Sequence, residues 1–313
     1  MSLRIALFGQ APVALDCLER LVADGHQIVA VFAPPDASRP DPLAQRAKQL
    51  GLPVEQRRFF QKRDGTPIAS ALESYRQLRA DLNVLASLTV FLPSEITDGP
   101  KHGSICFHPS LLPRYRGGNA LQWQIMQGER ETGVSIFVPD RGVDTGPIVV
   151  QRGGVHISPE DTTATLFFGK LAPLGAEALV EAVRAIDKGE AQLRIQDESL
   201  ATFQGLVGDA EARLDWSRPA HEVDALIRGC DPQPGAWLRW NDGILRLFGA
   251  VRAEVASGMP GQIIAIDETG VRIALAGGAS IRVAKIRAEG GKEAAQDFAR
   301  RAGLKVGDVL ESA

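Results

Sequence analysis

Cysteine is scarce: Cys17, Cys106 and Cys230 are the only three in 313 residues. Three scattered thiols exclude a disulfide framework, and with no export signal they point to the cytoplasm. Long apolar runs are missing too. The N-terminal run Ile5-Ala6-Leu7-Phe8 is too short for a signal-peptide core, and no stretch reaches the ~18 residues that a membrane span requires. Positive charge is not in excess. Lys plus Arg is 35 against 38 for Asp plus Glu, a net charge of −3, so the basic footprint of a large nucleic-acid partner is lacking. Internal repeats and low-complexity tracts are also absent. What is present, 44% hydrophobic and 23% charged residues, is a globular composition that excludes disordered and collagen-like classes. At roughly 150 residues per domain, the length implies about two domains.

The first part of the chain alternates short β-branched runs with helical patterns. Arg4–Gly9 reads as a buried strand, Pro12–Asp24 as a helix, and His26–Ala33 as a second strand, which makes a βαβ unit. Further strands are expected at Leu82–Ala86, Gly103–His108, Val134–Pro139 and Ile148–Gln151, followed by a long helix Thr162–Lys188 ending at Gly189. This order predicts an α/β class with a Rossmann-like, mainly parallel sheet over residues 1–189. Residues 190–209 show little periodicity and read as a linker. A second domain, 210–313, is expected to hold a helix at Pro219–Arg228. Its short strands are Ala236–Trp240, Ile244–Val251, Gln262–Ile266, Val271–Ala276 and Ser280–Ile286, separated by Asn241-Asp242-Gly243, Gly270 and Gly277-Gly278 turns. That spacing suggests a small OB-like β-barrel.

A βαβ start invites a dinucleotide reading, which the first loop denies. Gly9-Gln10-Ala11-Pro12-Val13-Ala14 has one glycine where G-x-G-x-x-G needs three for backbone approach to a pyrophosphate, so no NAD site is expected. A Walker-type phosphate loop is missing as well.

The chemistry is expected around two strand ends. On Ser104–His108 alternate residues share a face, so Ser104, Cys106 and His108 point one way, and Pro109 stops the ladder. His108 then sits at the C-terminal end of a sheet strand, where open α/β sheets place ligands. A satisfied core histidine is the plain alternative; the adjoining loop with two prolines and two arginines favours function. The second cluster is Asp140-Arg-Gly-Val-Asp-Thr-Gly-Pro147, where Gly142 and Gly146 bracket Val143-Asp144-Thr145. It is either an ordinary Asx turn or a device that presents Asp144 to a pocket. Three other constellations are weaker. His102, Cys106 and His108 fit no common zinc spacing, so no metal is expected. Ser110 lacks a G-x-S-x-G elbow and stands awkwardly close to its base. Cys106 as nucleophile would need an activated thiolate, whereas a strand cysteine is usually a small hydrophobe.

The run His108-Pro-Ser-Leu-Leu-Pro-Arg-Tyr-Arg-Gly117, with Gly133-Val-Ser-Ile-Phe and Gly142-Val-Asp-Thr-Gly146, resembles the signature of the 10-formyltetrahydrofolate-dependent formyltransferase family. Leu214-Asp-Trp-Ser-Arg-Pro-Ala, Ile227-Arg-Gly, Pro234-Gly-Ala-Trp and Gly291-Lys-Glu-Ala-Ala-Gln-Asp-Phe resemble its C-terminal domain. The resemblance implies 10-formyltetrahydrofolate as formyl donor and tetrahydrofolate as product. It implies His108 and Asp144 as catalytic residues, and contacts to the pteridine from Ala86, Ser87, Leu88, Val143 and Asp144. Whether Asp144 activates a nucleophile or orients His108 stays open.

Two branches are most similar: methionyl-tRNA formyltransferase, and the hydrolase domain of 10-formyltetrahydrofolate dehydrogenase. Transferases carry Asn two positions before the His, and here that position is Cys106. An Asn N–H donates well to an oxyanion, whereas a thiol donates weakly, so amine formylation by the usual constellation is in doubt. Pro35–Leu43, Leu82–Leu85, Lys101–Ile105 and Trp123 also resemble the hydrolase domain more. tRNA-formylating members are expected to carry a longer basic insertion after the second strand. Here Ala33–Leu43 holds Asp36, Arg39 and Asp41, and residues 204–313 hold 14 basic against 15 acidic residues, each region netting −1. Clustered positive charge for phosphates is missing. The resemblance therefore implies hydrolysis to formate, with transfer to methionyl-tRNA, an amino sugar or another small amine as the alternative. A folate-binding sensor without turnover is the alternative of a different class.

Overall fold

The structure, a computed structural model, describes residues 2–241, 243–253 and 257–313. Met1 and Asp242 of the expected Asn241-Asp242-Gly243 turn lie outside the described residues. The chain forms two compact units. The first comprises Met1–Arg116, Gly133–Val155 and Phe168–Phe203, and the second Gly117–Thr132, His156–Phe167 and Gln204–Ala313.

Seven strands build the sheet of the first unit: β1 Arg4–Gly9, β2 Gln27–Ala33, β3 Val54–Gln56, β4 Leu82–Ala86, β5 Ser104–His108, β6 Glu131–Phe137 and β7 Ile148–His156, in the order β3-β2-β1-β4-β5-β6-β7. Pairing is parallel from β3 through β5, and β6 then runs antiparallel to β5. Ile5, Ala6, Leu7 and Phe8 of β1 are fully buried, as a strand covered on both faces requires. The helix Val13–Ala23 buries Val13, Cys17, Leu18 and Leu21 along one stripe. Gly9 is needed for close approach: a Cβ there would lie 1.9 Å from the Ala86 carbonyl oxygen, which accepts the Gln10 N–H at 3.3 Å.

The expected helix Thr162–Lys188 is not continuous. A short helix Thr163–Leu166 passes through a π-helical turn, Phe167–Leu171, into the helix Ala172–Lys188. Pro173 has no N–H for the ladder and cannot continue a helix that began three turns earlier, so the bonding pattern shifts there. The stretch 190–209 forms only one 3₁₀ turn, Glu198–Leu200. Its first part is nonetheless stitched to the first unit, through mutual backbone bonds of Ile148 and Arg194 at 2.8 and 2.9 Å and through a bridge of Arg116 with Phe203.

The second unit holds β8 Ala236–Trp240, β9 Gly243–Ala253, β10 Ile263–Asp267, β11 Gly270–Ala274, β12 Ser280–Ala288 and β13 Gly291–Ala294. They form an antiparallel sheet in the order β10-β11-β12-β9-β8, with β13 on β12. Trp216, Ile227, Leu238, Leu247 and Ile281 are buried in its core. Among the described residues, no helix is long and apolar enough to cross a membrane.

Candidate active site

The two strand ends singled out by sequence come together in the first unit. At the base of the β5 face, Ser104 Oγ accepts from Asn83 Nδ2 at 3.0 Å, and Asn83 Oδ1 accepts from the Tyr75 hydroxyl at 2.8 Å. Cys106 lies in the middle of the strand and His108 at its end. The imidazole of His108 is buried, with 7% of its side chain exposed, and its Nδ1 stands 3.5 Å from Asp144 Oδ2. Phe137 meets the ring edge-on, with centroids 6.5 Å apart.

The histidine's tautomer is set by its other neighbour. Nε2 lies 2.8 Å from the Tyr115 carbonyl oxygen, which can only accept, so Nε2 carries a proton. In the neutral ring Nδ1 is therefore the bare nitrogen, on the side of Asp144. Burial pulls the imidazole below its ordinary value near 6.5, while the Asp144 charge and the Tyr115 carbonyl pull the other way. The neutral ring thus prevails at pH 7, and donation from Nδ1 to an oxyanion requires it first to take up a proton.

Asp144 reaches this position through a left-handed backbone, φ 55°, which a non-glycine residue adopts at a cost of about 1–3 kcal/mol. Local bonds hold the turn: Asp140 Oδ1 accepts from the Gly142 N–H at 2.9 Å and from the Thr145 hydroxyl at 2.5 Å. Gly146 lets it close on β6, since a Cβ there would lie 1.7 Å from the Val138 carbonyl oxygen. The loop from Pro109 to Arg116 is equally fixed. Ser135 Oγ donates to the Ser110 carbonyl at 2.7 Å and accepts from the Leu112 N–H at 3.1 Å, while Gln151 Nε2 donates to the Leu112 carbonyl at 2.9 Å.

The competing constellations do not assemble. His102 lies in the turn before β5 and His108 ends the strand, whose four steps at ~3.3 Å each span ~13 Å. Among the described residues, no group of three His, Cys, Asp or Glu side chains is placed to hold a metal ion. Ser110 is fully buried and donates its hydroxyl to the Arg114 carbonyl at 2.8 Å, so its proton is already engaged by the loop backbone. Burial and the nearby Asp144 carboxylate push the Cys106 thiol far up, leaving it protonated.

A cleft of about 430 Å³ opens beyond the C-terminal ends of β1, β2 and β4, lined by Gln10, Arg57, Phe60, Ser87, Leu88 and Val90 among others. Ser87 and Leu88 face it. Ala86 does not: it is fully buried at the end of β4, and Leu85 beside it is in register with Cys106. Val143 is 42% exposed on the Asp144 turn, outside the cleft lining. Sequence reasoning missed the Tyr115 carbonyl, which no side-chain pattern can announce. It also left Gln196 in a linker, although its amide is buried against the Asp144 turn.

Comparison with known proteins bears on what this arrangement does. Mitochondrial 10-formyltetrahydrofolate dehydrogenase of Mus musculus is 39% identical over 262 residues, 83% of this chain. The chain spans only 28% of that relative's length. Methionyl-tRNA formyltransferase of Roseobacter denitrificans is 38% identical over 268 residues, which cover 83% of this chain and 84% of that enzyme. The fold is shared with HypX from Aquifex aeolicus, solved in complex with tetrahydrofolic acid, at TM-score 0.73 and 20% identity over 100% of this chain and 50% of that one. It is shared too with the N-formyltransferase of Helicobacter canadensis, at TM-score 0.67 and 17% identity over 93% of this chain and 100% of that one. Residues 3–183 match the formyl transferase family and residues 207–303 match its C-terminal domain, so the chain belongs to the formyl transferase family.

Proposed function

We propose that this protein takes the formyl group from 10-formyltetrahydrofolate and passes it to water, releasing formate and tetrahydrofolate. The observation that carries the reading is the buried His108 with the Asp144 carboxylate 3.5 Å away, and Cys106 two residues before the histidine on the same strand. The N10-formyl group is amide-like. Water oxygen attacks its carbon, an oxyanion forms, the C–N bond breaks, and N10 must gain the proton that water loses. A neutral imidazole with bare Nδ1 facing a carboxylate suits that relay: the pair takes the proton from water as the C–O bond forms and returns it to N10 as the C–N bond breaks. While protonated, Nδ1 is a donor available to the developing negative charge. The neutral Cys106 thiol supplies a weak donor where an amine transferase would use an amide N–H. The pteridine is assigned to the end of β4, where Ser87 and Leu88 face the cleft and Ala86 lies buried behind them, and to the exposed turn of Val143 and Asp144 outside the cleft lining.

Transfer to an amine is the second reading, favoured by 38% identity over most of the length of a methionyl-tRNA formyltransferase. Against it stand the −1 balance of Ala33–Leu43 and of residues 204–313. The deciding experiment supplies 10-formyltetrahydrofolate alone, then with methionyl-tRNA, then with amino sugars and small amines, and measures tetrahydrofolate and formate. Formate release without acceptor, abolished by Asp144→Asn, is the expected result. Tetrahydrofolate appearing only with tRNA or an amine would replace the hydrolase reading by the transferase one, and binding without turnover would leave a sensor.

A further inference from the structure

Gln196 sits in a stretch with no helix or strand of its own, yet only 5% of the residue is exposed and its amide is completely used. Nε2 donates to the Asp144 carbonyl at 2.8 Å and to the Gly146 carbonyl at 2.7 Å. Oε1 accepts from Arg116 Nε at 3.2 Å and from a terminal Arg116 nitrogen at 2.9 Å. Two carbonyls on one side and a guanidinium on the other leave a single orientation of the amide. Arg116 is itself held by a two-pronged bond to Glu198, at 2.9 and 2.6 Å. Its N–H bonds the Thr202 carbonyl at 2.9 Å, and that of Tyr115 bonds the Thr202 hydroxyl at 2.8 Å.

These contacts close a ring. His108 Nε2 is anchored on the Tyr115 carbonyl; Tyr115 adjoins Arg116; Arg116 holds Gln196; Gln196 holds the backbone of Asp144; and the Asp144 carboxylate returns to His108 Nδ1. One amide joins the two loops that carry the reacting pair. We infer that Gln196 is a positioning residue for formyl transfer, tying the strained Asp144 turn to Arg116 and so setting the separation of the Asp144 carboxylate from the His108 ring. This rests on the assignment of His108 and Asp144 as the proton relay. Local bonds from Asp140 shape the turn, and the Gln196 tie joins it to Arg116 in the loop that holds the histidine.

The test uses Gln196→Met, which keeps length and removes the amide, and Gln196→Asn, which keeps the amide on a stem too short to reach both partners. The full-length proteins are compared for formate release and, by NMR with labelled imidazoles, for the titration of His108. The groups acting on that ring are the Asp144 carboxylate and the Tyr115 carbonyl, and Arg116 in turn feels Asp144, Asp140 and Glu198. A misplacement near 1 Å costs ~100-fold in rate. Gln196→Met is expected to lower kcat on that scale, with KM for the donor within twofold, and Gln196→Asn to fall between it and the parent. Loss of a nearby carboxylate charge moves the His108 midpoint down, toward its position in Asp144→Asn. An unmoved midpoint in both variants overturns the tie, whatever the activity. Failure of the parent to act on 10-formyltetrahydrofolate overturns the reaction instead, and the midpoint still decides the tie. If Gln196→Met fails to fold, Gln196→Asn carries the same two measurements.

Discussion

Each unit sets a carboxylate against a cation-forming side chain, and the two pairs are built in opposite ways. In the second unit Arg228 donates to Asp224 Oδ2 at 3.1 and 3.0 Å and to the Asp161 carbonyl at 2.9 Å, with both side chains under 10% exposed. The guanidinium keeps its charge at any ordinary pH, so this contact cannot change state. In the first unit His108 and Asp144 stand 3.5 Å apart, and the nitrogen between them is bare in the neutral ring. Burial lowers the affinity of that nitrogen for a proton, and Asp144 restores part of it. A closed arginine pair holds a helix in place, whereas a pair with room for one proton can do chemistry.

Substitution of both pairs sharpens this contrast. Asp144→Asn and His108→Gln are expected to reduce formyl release by ~10²–10⁴-fold, the range for loss of a proton-transfer group. Their urea midpoints should stay near that of the parent. Asp224→Ala should do the reverse, costing about 3–5 kcal/mol because Arg228 is left buried without its carboxylate, while activity per folded molecule holds. All four tryptophans, Trp123, Trp216, Trp237 and Trp240, belong to the second unit. Their fluorescence therefore follows the unit in which Asp224 lies, and a transition unchanged by Asp224→Ala would remove the structural half of the contrast.

Cys106→Asn is expected to have a smaller effect. It places an N–H donor where a neutral thiol now stands and should raise formylation of a small amine roughly tenfold, well below the full value of an oxyanion donor. No change in the ratio of amine product to formate would show that this position does not govern the acceptor. The smallest effect is in the acid range. His108 binds its proton more weakly folded than unfolded, so its contribution to stability is complete above its unfolded value near 6.5 and is lost as pH falls below it. Between pH 7.5 and 5 the parent should therefore lose more unfolding free energy than His108→Gln does. Equal losses by circular dichroism would mean that the ring is not desolvated.

Much of the first unit is legible in the sequence because its strands are short apolar runs punctuated by turns. β1 and β4, and β8 in the second unit, have the bounds expected for them, and alternation along Ser104–His108 places Cys106 and His108 on one face. Less legible is β3, whose three half-buried residues carry no period. The helix after Thr162 misleads for another reason: its apolar periodicity survives a shift of register that Pro173 imposes on the backbone. Residues 190–209 look like a linker because side chains that bond one at a time to distant loops leave no repeat.

Sequence alone determined the βαβ start, the missing glycine fingerprint that argues against a dinucleotide, and the placing of His108 and Asp144 next to strand ends. These follow from neighbours in the chain, through side-chain period and backbone preference. Tertiary structure alone decided the 3.5 Å separation, the proton on Nε2 and the role of Gln196. Gln196 lies 52 residues from Asp144 and 80 from Arg116. At that distance along the chain no local pattern records which polar groups meet. The packing of the two loops selects those partners, because each buried donor and acceptor must find one.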